Sequence, residues 1–170
     1  KLIALAKEVD GEVEVRVHPT LIPKNHPLAN VNGSFNAIFL KGDAIGEAMF
    51  YGPGAGELPT ASAVVGDIID VSRNITENCT GRVKLRSYRN LKVKEFQTIE
   101  SKYYLRLQVL DKPGVMAEIT SVFGKFGVSL GSIIQKYRYD DNKAEVVVIT
   151  DLVKEKSMSS ALKELNKLDM

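Results

Sequence analysis

The chain has 170 residues, 44% hydrophobic and 26% charged, with a formal net charge of +2. That length suits one domain or two small ones of ordinary globular composition. The charge is too small to argue for nucleic acid or an acidic membrane as partner, no apolar run reaches the length of a bilayer span, and the lone Cys79 leaves no pair for an internal disulfide or a cysteine-based metal site.

The first residues, KLIALAKEV, do not read as a signal peptide. They enter an apolar run at once behind a lysine, so the sequence reads as a piece of a longer protein. One free cysteine fits a reducing cytoplasm; Cys79 itself reads as a small residue near a helix end. The next segment, EVEVRVH, alternates strictly. Val13, Val15 and Val17 fall on one face and Glu12, Glu14, Arg16 and His18 on the other. With a turn at Asp10-Gly11 this predicts a hairpin whose second strand is half buried. PTLIPKNHPL holds three prolines in ten residues and reads as a loop, with Asn25 placed to cap one short helical turn. GSFNAIFLKGDAIGEAMFYG reads as two strands hinged at Gly42-Asp43.

Three glycines then fall within five residues, at 52, 54 and 56 in FYGPGAGELPTASAVVGDI. A helix is predicted behind them from Pro59 to Asn78, with Ala61, Val64, Ile68, Val71 and Ile75 on one stripe and proline in its first turn. Two reasons exist for so bare a turn. It makes a tight corner, or it lets a flat or anionic group approach the main chain at a helix N-terminus.

Residues 78–102 are polar and carry six Lys or Arg from Arg82 to Lys94. The interleaved Val83, Leu85 and Leu91 favour a solvated linker or edge strand over a nucleic-acid patch, and the domain boundary belongs here. From Tyr103 the pattern becomes strand, helix, strand, strand, helix. Leu105, Leu107 and Val109 face one way. Val115, Ile119, Val122 and Phe126 mark a helix ended by Gly127. Met158, Ala161, Leu162, Leu165 and Leu168 mark a last one. This βαββα order is a ferredoxin-like unit short of its final strand. The open edge of its first strand predicts a filler, either LKVKEFQTI (91–99) or a strand from a second chain.

Two histidines, His18 and His26, stand eight residues apart without carboxylates at helical spacing and read as surface or loop residues. Asp67 and Asp70 read as a solvated helix face. Asn36 sits in an apolar strand; it holds a neighbouring loop or faces a site. Asp111 is placed to cap the helix that starts near Gly114.

The segment YYLRLQVLDKPGVMAEITSVFGKFGVSLGSIIQ is similar to the opening of an ACT domain, a regulatory module that binds amino acids. VHPTLIPKNHPLANVNGSFNAI and GPGAGELPTASAVVGDI resemble the rear part of the catalytic region of homoserine dehydrogenases. The resemblance implies an α/β (α+β) chain in three stretches. Residues 1–80 are a mixed-sheet substrate and dimerisation part, 81–102 a linker, and 103–170 an ACT domain lacking its last strand.

The resemblance further implies NAD(P)-dependent interconversion of homoserine and aspartate semialdehyde, with the nucleotide domain and the catalytic acid and lysine upstream, and no catalysis by this chain alone. It places cofactor contacts at Gly54 and Gly56, with Thr60 close by. It places an amino-acid effector, threonine, at Asp111, Gly114, Val115 and Ser129, often across a dimer interface. Several relatives have asparagine where this chain has Ser129, which shortens the reach and removes the amide fork. A homodimer or higher homo-oligomer in the cytoplasm is expected, with no nucleic acid, membrane or metal. The rival reading is a non-enzymatic amino-acid sensor, which has no need of GPGAG and Thr60. An aspartate kinase fragment also carries ACT modules but leaves residues 18–68 unexplained.

Overall fold

The computed structural model describes residues 1–80, 89–139 and 142–168. Strands β1 (Leu2–Val9) and β2 (Glu12–Pro19) form the predicted hairpin. Its two-residue turn is Asp10-Gly11, with φ of 53° and 77°. Both lie in the left-handed region that a type I′ turn requires and that Asp-Gly supplies cheaply. The polar face of β2 is the inward one: Glu14 is 2% exposed, whereas Val15 and Val17 are 47% and 68% exposed.

By contacts the chain forms two compact units: Lys1–Leu2 with Pro19–Asn90, and Ile3–His18 with Leu91–Met170. In the first, a 3-10 turn covers Pro27–Asn30. Its cap is His26, not Asn25: His26 Nδ1 accepts the Leu28 N–H at 3.2 Å. The imidazole reaches two residues forward where the shorter, earlier Asn25 was expected to act. Strands β3 (Phe35–Gly42) and β4 (Gly46–Pro53) pair antiparallel in a register that runs from Phe35 opposite Pro53 to Gly42 opposite Gly46. Helix α1 (Glu57–Thr76) begins and ends two residues earlier than the spacing predicts. Its apolar stripe is present but buries nothing in this chain; Ile68 is 59% exposed.

The second unit holds the packed core. The predicted linker is not a bare tether where it is described. β5 (Lys92–Val93) runs parallel to β2, Ile99 is buried, and β6 (Glu100–Ser101) pairs with β10 (Val153–Lys154). Residues 81–88, with half of the basic run and the interleaved Val83 and Leu85, lie outside the described residues.

β7 (Tyr104–Leu110), α2 (Val115–Lys125), β8 (Leu130–Tyr139), β9 (Lys143–Thr150) and α3 (Glu155–Leu165) make the βαββα unit, with strand order β7-β9-β8. Ile119, Phe123, Val146, Val148, Met158 and Ala161 are buried between the sheet and both helices. Each fully buried large side chain here stabilises the unit by about 1.5–3 kcal/mol. Gly127, at φ 67°, ends α2 in a Schellman motif: Val128 N–H donates to Phe123 O at 2.9 Å and Gly127 N–H to Gly124 O at 3.1 Å.

Of the two fillers expected for the edge of the first sandwich strand, the one within this chain is not found. Residues 91–99 do not fill the edge of β7, because Lys92–Val93 is taken by β2. Among the described residues β7 pairs with β9 alone.

Candidate functional sites

The glycine turn is shaped by its neighbours. Gly54 N–H donates to Ser34 O at 2.7 Å. A Cβ on Gly54 would run into the Asn36 amide. The Asn36 amide therefore lies against the glycine turn. Gly56 is the cap residue of α1, at φ 135° and ψ 153°, a conformation that side chains rarely adopt. It caps the helix without a side chain. Its carbonyl accepts the Thr60 N–H at 3.1 Å, which closes the first turn. Gly54, Gly56 and Thr60 thus stand together at the N-terminus of a 20-residue helix. The bare cap gives a flat or anionic group access to main-chain donors and to the positive end of the helix dipole.

The four residues assigned to an effector fall in two places. Asp111, Gly114 and Val115 lie where β7 ends and α2 begins. Gly114, at φ 98°, is the cap and makes no side-chain hydrogen bond to the helix. Asp111 is thus not the cap of α2; one of its carboxylate oxygens accepts from Gln135 Nε2 at 3.2 Å instead, and its N–H donates to Asn142 O at 2.7 Å. Ser129 precedes β8. Its hydroxyl donates to Asp151 at 3.2 Å, and Asp151 N–H returns a bond to Ser129 O at 3.0 Å. β9 fixes the separation. Leu110 pairs with Lys143 at one end of that strand and Leu130 with Thr150 at the other.

A third cluster was not singled out in the sequence. Glu14 lies between Lys7 Nζ at 3.0 Å and Lys94 Nζ at 3.4 Å. Burial pushes its carboxyl up, but the two lysines outweigh that and hold it below the ordinary value. Two residues along the same face, Arg16 donates to Ser101 Oγ, and Tyr103 OH donates to Glu155 at the head of α3. Burial and the Glu155 carboxylate both push the Tyr103 phenol up, against an opposing pull from Arg16. The signal that pointed here was four polar residues at alternate positions of one strand. His18, the last of them, is half buried on this inward face rather than on a surface loop.

Elsewhere, Cys79 is exposed beyond the end of α1. Among the described residues no cluster of His, Cys, Asp or Glu is placed to hold a metal, and no helix is long and apolar enough to cross a membrane.

The chain thus joins a bare-capped helix to a ferredoxin-like βαββα unit. Residues 1–69 match the homoserine dehydrogenase family model, and residues 103–169 match the ACT domain model. Along its whole length the chain is similar to homoserine dehydrogenases, and its rear part matches the ACT domain model. It is 40% identical over 174 residues to the homoserine dehydrogenase of Neisseria gonorrhoeae, covering 99% of this chain and 40% of that protein. It is 43% identical over 171 residues to that of Corynebacterium glutamicum, covering 97% of this chain and 38% of that protein. The crystal structure of a homoserine dehydrogenase from Thiobacillus denitrificans superposes with a TM-score of 0.77 at 36% identity, over 99% of this chain and 39% of that one. The chain thus spans about two fifths of the length of the relatives it matches.

Proposed function

We propose that this chain is the rear portion of a homoserine dehydrogenase. The whole enzyme would interconvert L-homoserine and L-aspartate 4-semialdehyde with NAD(P), in threonine and methionine biosynthesis in the cytoplasm, as a homodimer or higher homo-oligomer. The observation that carries this reading is the unbroken similarity along the chain, at about 40% identity, to homoserine dehydrogenases. A stand-alone sensor would account for residues 103–169 only. By origin we divide the chain at 1–80, 81–102 and 103–170.

In this reading this chain would help to hold the nicotinamide, which would supply the hydride chemistry. Gly54, Gly56 and Thr60 form the seat. The bare cap at Gly56 fits the task because no Cβ stands between the ligand and the helix N-terminus. Gly56→Val in the full-length enzyme is expected to weaken NADPH binding at least tenfold, against the 1.4 kcal/mol that a factor of ten represents. An unchanged dissociation constant by fluorescence titration removes the seat.

Asp111, Gly114, Val115 and Ser129 are assigned to an amino-acid effector, threonine first. Calorimetry with threonine, isoleucine, methionine and serine tests this. No heat with any of them makes the rear unit structural.

A further inference from the structure

The inward face of β2 is charged where a half-buried strand is ordinarily apolar. Glu14, between Lys7 and Lys94, and Arg16, on Ser101, tie the hairpin to β5 and β6. From there the contacts run on. β6 pairs with β10, which leads directly into α3, and Glu155 at the head of α3 accepts from Tyr103, the residue before β7. Two main-chain bonds run beside them: Lys94 N–H to Val13 O and Glu155 N–H to Ile99 O, each 2.9 Å. The hairpin is thereby fastened to residues 92–101, and these in turn to β10 and the head of α3.

Such a joint is poorly suited to being only a glue. A buried ion pair adds little net stability over apolar packing of the same volume, whereas its directional contacts fix one register. Arg16 makes a single described hydrogen bond, and its buried Nε has no acceptor among the described residues. A guanidinium has five donors, so Arg16 holds one arrangement here with capacity for another. At its far end β2 runs without a break through His18 into Pro19 and the proline loop that opens the first unit.

We propose that this polar face is a coupling latch: Glu14 and Arg16 lock the β1–β2 hairpin to residues 92–101, and through them to the rear sandwich, so that an amino acid bound by the sandwich acts along β2 on the segment that begins at Pro19. The inference rests on the effector reading above. Arg16 and Glu14 are assigned as positioning residues, acting through Lys7, Lys94 and Ser101.

The test is hydrogen exchange by mass spectrometry on a full-length homoserine dehydrogenase carrying this chain, with and without L-threonine, L-isoleucine, L-methionine or L-serine. In the wild type, the amino acid that protects residues 103–168 is expected to change exchange in residues 12–31 as well. In Arg16→Met the change is expected to stop at the sandwich. The effector concentration for half inhibition is expected to rise about tenfold, within the usual range of coupling factors, while kcat and KM without effector stay within about twofold. Ser101→Ala removes the same contact with less disturbance of packing and is expected to act in the same direction.

If residues 12–31 respond equally in wild type and both variants, the latch is wrong. If no amino acid alters residues 103–168 of the wild type, the effector reading has failed first, and the latch falls with it. The two failures are told apart before any variant is made.

Discussion

A Cβ built on Gly54 would lie 1.7 Å from Asn36 Nδ2 and 2.4 Å from Asn36 Cγ: the amide of Asn36 fills the space that a side chain at residue 54 would need. Gly54→Ala must therefore displace Asn36 or the β4 end of the turn. A loss of about 1–3 kcal/mol is expected, the usual cost of overpacking. Asn36→Gly is expected to relieve most of it. A double-mutant cycle by chemical denaturation checks this, and strict additivity of the two changes would refute the packing account.

Gly56 is bare for a different reason. At φ 135° the strain of a side chain lies in the backbone, and Pro59 Cδ at 3.2 Å from a built Cβ adds crowding. Gly56→Ala is expected to cost about 1–3 kcal/mol. No deletion at a neighbouring side chain should recover it. Recovery by Asn36→Gly would show that the two glycines share one cause.

The Glu14 carboxyl, held below its ordinary value of 4.5, links folding to pH. A depressed carboxylate stabilises the fold fully above its unfolded value and loses that contribution as pH falls through its folded value. The second unit is expected to weaken as pH drops below 4.5. Glu14→Gln should be less stable at neutral pH, by about 2 kcal/mol. That is under the 3–5 kcal/mol for breaking a fully buried pair, because the partly exposed lysines can turn to water. The variant should also show a flatter acid limb in thermal melts. An unchanged acid limb would mean that Glu14 does not titrate with unfolding.

His26→Ala removes the acceptor for Leu28 N–H and the ring that packs 4.9 Å from Phe39. A loss of about 1 kcal/mol is expected, the typical value of an N-cap. Asn25→Ala should be near neutral. The reverse order in melting temperature would restore Asn25 as the cap.

Local signals carried much of the fold. Asp10-Gly11 and Gly42 declare their hairpins because turn chemistry is contained in two or three residues. Gly127 declares the end of α2 for the same reason. The stripe of α1 was legible as a helix, yet periodicity marks a face suited to burial without naming what covers it.

The inward face of β2 was illegible. Valine ordinarily wins that choice, and here Lys7 on the facing strand, with Lys94 and Ser101 some 80 residues on, supplies partners for Glu14 and Arg16. The fate of residues 91–99 was hidden likewise, since two strands competed for them and sequence does not rank distant pairings. At the glycine turn the spacing was visible, but the separate causes at 54 and 56 needed the Asn36 contact and a backbone angle.

The placement of Asp111 and Ser129 at opposite ends of β9 has a quantitative corollary. Eight strand residues at about 3.4 Å each span more than 20 Å, several times the length of a threonine molecule. If all four assigned residues grip one ligand, two chains must share it. Two-fold symmetry would then make two such sites per chain pair, and apparent affinity would fall as the protein is diluted toward monomer. Titrations at two protein concentrations would read that dependence directly.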